Sequence, residues 1–143
     1  MAITKLLPRS PVASTEHGDV LLELAYLMTL ADGRLDDVEL AAYREIVTSV
    51  RGGALPEAEL SALLARFGGA IEKGAIEARV RVLAPALPAE LRELAFTLAI
   101  GLALVDNEAH DAENALVGVF FESLGLTETR ADALAAEVRA AFA

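Results

Sequence analysis

An all-α fold, a compact bundle of about seven helices with an internal helix-turn-helix repeat, is what this sequence predicts, on three observations. Apolar residues make up 55% of the chain but aromatic residues only 5%, with no Trp. Alanine and leucine supply most of that apolar content, and both favour helices, whereas the β-branched and aromatic residues that favour strands are scarce. Apolar positions recur at three- and four-residue spacing over most of the length, and glycines and prolines interrupt that spacing at intervals of one helix. At 143 residues the chain has the size of one domain.

Residues 1–14 contain Pro8 and Pro11 and show no periodicity. They read as a mobile or surface-draped arm that Leu6 and Leu7 could tack down, and residues 15–143 read as a single helical domain. The first helix starts near Thr15, carries Val20, Leu21, Leu24, Leu27 and Met28 on one side, and ends near Asp32-Gly33. The second runs from Asp37 to Arg51 with Leu40, Tyr43, Ile46, Val47 and Val50 inward, and Gly52-Gly53 stops it. Pro56 suits the first position of the third, which reaches Phe67 and stops at Gly68-Gly69. A fourth covers about Ala70 to Ala84, weakened at Gly74. Pro85 and Pro88 bracket a turn, and a fifth helix runs from near Pro88 to Val105. The sixth spans Asp111 to Leu124 and closes at Gly125; Thr127 caps the seventh, which reaches about Ala141.

A shift of 74 positions superimposes two segments of this chain, 24–39 and 98–113. Each is an apolar helix, then Asp, then Gly or Asn, then Asp and Glu opening another apolar helix. Asp32 matches Asp106, Asp37 matches Asp111 and Glu39 matches Glu113, while Gly33 and Asn107 are the two residue types most tolerant of positive φ. Residues 32–39 set four carboxylates against Arg34, a net of −3, and residues 106–113 hold four carboxylates with His110 neutral, a net of −4. Together these two turns carry −7 of the chain's formal −10.

Such turns repel themselves unless something positive lies near. Asp32 and Asp106 close apolar helices, where the macrodipole is negative and a carboxylate costs roughly 0.3–1 kcal/mol. A bound cation reverses that sign. Carboxylates beside the free carbonyls of a helix end are ligands for hard divalent cations such as Ca²⁺ and Mg²⁺. Asp32, Glu39, Asp106 and Glu113 are the main candidate ligands, with Asp36, Asp37, His110 and Asp111 secondary. One shared site or two separate ones are both open. So is a purely structural reading, in which Asp36 and Glu39 form a capping box and the acids serve their own helices. An EF-hand is excluded, because its loop has twelve residues and a glycine at the sixth.

At these same residues the sequence resembles the TerB-like family, whose members carry an Ala-Asp-Gly turn, a further acid and a Glu opening the next helix, then a looser second copy. Ala31-Asp32-Gly33-Arg34-Leu35 through Glu39 follows that pattern; Val105-Asp106-Asn107-Glu108 through Glu113 departs from it at Asn107 and His110. The resemblance covers about Gly18 to Leu126. It implies an all-α fold of about seven helices, a metal site built from the paired acidic turns, and a link to tellurite, metal or phage stress responses.

Other classes fit poorly. A net charge of −10 opposes nucleic acid and anionic lipid as partners, leaving cations or another protein. The longest charge-free run, Leu94 to Val105, is too short to span a bilayer, and no signal peptide is evident. The absence of cysteine fits a cytoplasmic setting and removes thiol chemistry and thiolate zinc sites. No Ser nucleophile sits in a recognisable elbow, and carboxylates on exposed turns are poorly tuned for acid–base work, so an enzyme is not expected. His17, beside Glu16 and Asp19, reads as a solvated or capping histidine. Lys73, Arg79 and Arg81 read as a solvated face able to pair with acids elsewhere, and Phe120-Phe121 as one core residue plus one contact residue.

Overall fold

The two helices that the repeat places ahead of its acidic turns pack against each other at the centre of the molecule. The computed structural model describes residues 2–8, 10–30, 37–69, 75–105 and 111–142. Seven α-helices and no strand occur among them: α1 Thr15–Thr29, α2 Asp37–Arg51, α3 Glu57–Gly69, α4 Ile76–Leu83, α5 Ala89–Leu104, α6 Asp111–Ser123 and α7 Glu128–Phe142. Two 3-10 helices, Ala2–Leu6 and Ala84–Ala86, complete the order.

Leu21, Leu22, Leu24, Leu27 and Met28 of α1 are fully buried, and Ala95, Leu98, Ala99 and Leu102 of α5 nearly so. A helix apolar on most sides needs neighbours on most sides. α1 accordingly touches α2, α3, α4 and α5, while α5 carries α6 and α7 on its remaining faces. Small residues such as Ala25 and Ala99 permit close approach of the two central helices.

The ends follow local chemistry. The Ser14 side chain accepts a hydrogen bond from the His17 backbone N–H at 3.2 Å, so His17 sits in a capped first turn. Gly52 has φ +84° and closes α2, with its N–H and that of Gly53 both donating to the Thr48 carbonyl. Thr127 Oγ1 accepts from the Arg130 N–H at 3.2 Å and opens α7. Two boundaries differ from expectation. Gly68 and Gly69 belong to the last turn of α3, because nothing obliges a glycine to break a helix it follows. The described part of α4 begins at Ile76, and residues 70–74 lie outside the described residues.

The opening segment, expected as a mobile or surface-draped arm, supplies a core residue. Ile3 is fully buried in the Ala2–Leu6 3-10 helix, which packs on α2, α5 and α7. A five-residue turn is too short to show periodicity, so this contact has no sequence signature. Gly101 of α5 makes it possible: a Cβ there would come within 2.7 Å of Ile3 Cδ1 and 2.8 Å of Leu6 Cδ1. Farther along, the Ser49 hydroxyl donates to the Pro8 carbonyl and the Val12 N–H to the Val50 carbonyl, tying this segment to α2.

Arginine–carboxylate forks join the layers. Arg79 of α4 meets Glu23 of α1, Arg130 of α7 meets Glu93 of α5, and Arg44 of α2 meets Glu57 of α3. Arg79 and Arg81, read as a solvated face, therefore split in role: Arg79 is an interhelix partner, and Arg81 pairs loosely with Glu77 one turn away at 3.7 Å. Lys73 lies outside the described residues.

Candidate metal centre

The described parts of α2 and α6 open at Asp37 and Asp111, next to residues 31–36 and 106–110, which lie outside the described residues. The matched glutamates, Glu39 and Glu113, are both helical.

On α2 the matched glutamate heads the inward stripe. Glu39, Tyr43, Ile46 and Val50 follow at four, three and four residues, which keeps them on one helix face. Tyr43 and Ile46 are fully buried and Val50 is 2% exposed, and Glu39 is drawn in with them to 2%. Asp37 and Val38 turn outward and are exposed. Glu39 therefore does not fit the expectation of acids confined to an exposed turn. Its register with the core stripe, rather than its polarity, decides its burial. On α6 the matching stripe is Glu113, Val117, Phe120 and Leu124, of which Phe120 is fully buried and Leu124 1% exposed.

Withdrawing an ionised carboxylate from water costs several kcal/mol unless charge or hydrogen bonds compensate. The N-terminal end of α2 supplies part of that through its oriented backbone amides. At the other side of the turn, the Thr29 hydroxyl at the end of α1 donates to the Tyr26 carbonyl at 2.6 Å and is itself fully buried. Below Glu39, Tyr43 donates its hydroxyl to the Leu22 carbonyl at 2.9 Å, and burial pushes its phenol far above the ordinary tyrosine range. The ring of Tyr26 lies 5.7 Å from that of Tyr43, so α1 and α2 meet through an aromatic pair.

Of the other expected ligands, Asp32, Asp36, Asp106 and His110 lie outside the described residues, and Glu113 is placed by its backbone alone. The separation of the two turns falls there as well. Among the described residues no group of three or more His, Asp or Glu side chains could hold a metal ion.

The family model for the tellurite resistance protein TerB matches residues 19–137. The chain belongs to the TerB family. No curated protein and no solved structure matches it significantly. The TerB match runs from early α1 into α7 and takes in both acidic turns, while the 3-10 helix that carries Ile3 precedes it. No helix among the described residues is long and apolar enough to cross a membrane.

A second feature of this TerB domain has no signal in the periodicity of any one helix. α6 and α7 each pack on α5 but make little contact with one another. They leave a trough of about 430 Å³ over α5, into which Phe121 projects as the contact residue of the Phe120-Phe121 pair.

Proposed function

We propose that this TerB domain is a non-enzymatic module that takes up a divalent cation of the Ca²⁺ or Mg²⁺ type through its acidic turns, in a cytoplasmic response to tellurite or metal stress. Asp32, Asp36 and Glu39 serve from the first turn, and Asp106, His110 and Glu113 from the second. The observation that carries this reading is the burial of Glu39 at the head of α2's core-facing stripe, in register with Glu113 on α6. A cation held among these carboxylates offsets the repulsion of −7 gathered in two short turns. His110, standing where the pattern has an acid, is either a softer ligand or a weaker one for such an oxygen-preferring cation.

The spacing of Glu39, three residues after Asp36, also supports a second reading. A glutamate there can close a capping box with Asp36, and the domain would then be a protein-interaction module with structurally capped turns.

Calorimetry and thermal melts of the full chain with Ca²⁺, Mg²⁺, Mn²⁺ and Zn²⁺ separate the two. The cation reading expects binding tighter than about 1 mM and a rise in Tm that grows with ion concentration. Asp32→Asn with Asp106→Asn abolishes both. Binding weaker than that for every ion leaves the capped-turn reading in place.

A further inference from the structure

We propose that the trough between α5, α6 and α7 is a docking site for an amphipathic helix of a partner protein, lying antiparallel to α7 with basic residues at its C-terminal end and an acid at its N-terminal end. This does not depend on the cation reading.

The trough's floor on α5 is Phe96, Ile100, Ala103 and Leu104, spaced at four, three and one residues along one helix face. Its α7 wall reads Glu128, Ala131, Asp132, Ala135, Arg139. Those eleven residue steps span about 16 Å, or three helical turns. Ala131 and Ala135 stand in the middle of that wall with Asp132 between them, while Glu128 marks one end and Arg139 the other. A compact ligand over the alanines would leave one charged end unengaged, whereas a helix of three turns engages both.

The charge order selects a direction. Glu128 and Asp132 stand toward the N-terminal end of α7 and Arg139 toward its C-terminal end, and among the described residues none of the three forms an ion pair. A helix with its own dipole-favoured order, acids first and bases last, matches that wall only when antiparallel to it. The net charge of −10 also speeds encounter with a basic partner.

Gly118 forms part of the α6 wall, in the middle of a helix where glycine is a weak choice. A Cβ at Gly118 would meet nothing within 4 Å. Among the described residues nothing occupies that space, and the backbone of an incoming helix can approach there closely. A second copy of this chain is a poor occupant, since a two-fold interface sets the same patch against itself and two hollows do not fill one another.

The test uses the isotope-labelled full chain and two stapled, equally helical peptides of about four turns. Both carry a leucine–alanine stripe and a nitroxide at the C-terminal end; one has Glu at its N-terminal end and Lys at its C-terminal end, the other Gln at each of those places. The first peptide is expected to shift amide signals of the trough, to broaden signals near Glu128 rather than Arg139, and to bind about fivefold tighter than the second, the combined effect of a few exposed ion pairs. Glu128→Gln with Asp132→Asn and Arg139→Gln removes that preference, and broadening centred on Arg139 overturns the direction. Gly118→Leu weakens the first peptide by at least about tenfold while the melt stays at or above that of the parent. The proposal is overturned by any of four results: no shift with either peptide at millimolar concentration, equal affinity for both, shifts centred elsewhere, or decanoate saturating the trough where the peptides do not. A sedimenting dimer that buries the trough likewise overturns it in favour of a second copy.

Discussion

Arg79 of α4 grips Glu23 of α1 with two hydrogen bonds, 2.5 Å from Nε and 3.0 Å from Nη2, across 56 positions of sequence. The carboxylate side chain is 9% exposed and the arginine 34%. Removing the arginine alone strands a buried negative charge, which costs 3–5 kcal/mol in a fully buried pair. Solvent screens the outer edge of Arg79, so Arg79→Met is expected to cost about 2 kcal/mol in urea unfolding. Adding Glu23→Leu should return most of that loss. A double variant no more stable than Arg79→Met shows that the fork is not what holds α4 to α1.

Arg130 holds the Glu93 carboxyl below its usual value of about 4.5, through the hydrogen bonds that join α7 to α5. A carboxyl lowered in the folded state contributes stability above its unfolded value and loses it as pH falls through the folded one. Arg130→Gln should therefore lower the Tm at pH 7, and the gap to the parent should close as the pH falls below about 4.5. A gap of constant size down to pH 2 would mean that the arginine acts through packing alone.

Tyr43 keeps its hydroxyl at zero exposure on the Leu22 carbonyl. Its phenol is pushed up first by burial and then by the nearby Tyr26 and Glu23. With the folded value raised, stability is whole below the unfolded value of about 10 and declines as pH rises beyond it. Absorbance at the phenolate band should show Tyr43 ionising together with unfolding rather than before it. Tyr43→Phe should cost about 1 kcal/mol at neutral pH and flatten the alkaline decline.

Ile3→Ala, in a segment without visible periodicity, is expected to destabilise the chain by about 2–4 kcal/mol, as for a core aliphatic residue. Chemical denaturation measures this directly. A cost under about 0.5 kcal/mol would place residues 2–6 among surface substitutions.

Helix ends were the most readable part of this sequence. Gly52, Pro88, Gly125 and Thr127 each act locally, so their effect needs no knowledge of the tertiary fold. The inward stripe of α2 was equally plain from Tyr43, Ile46 and Val50. Counting one position back along it reaches Glu39, whose burial was obscured by treating an acid as a surface residue. Arg79 and Glu23 could not be paired in advance, because either could have met any of several opposite charges. The trough over α5 depends on which helix faces remain uncovered once all seven have packed, and no single helix carries that information. The expected ligands at Asp32, Asp36, Asp106 and His110 lie outside the described residues.

Gly101 stands 74 positions after Leu27, so the two halves of the molecule differ there by one leucine side chain. In the first half Leu27 fills its own place; in the second, Ile3 and Leu6 reach in from the opening turn to fill the gap. The space beside Gly101 is thus filled from the opening turn. A chain trimmed to begin at Ser14 would be left with a hole over α5, and Gly101→Leu, harmful in the full chain, should repair the trimmed one.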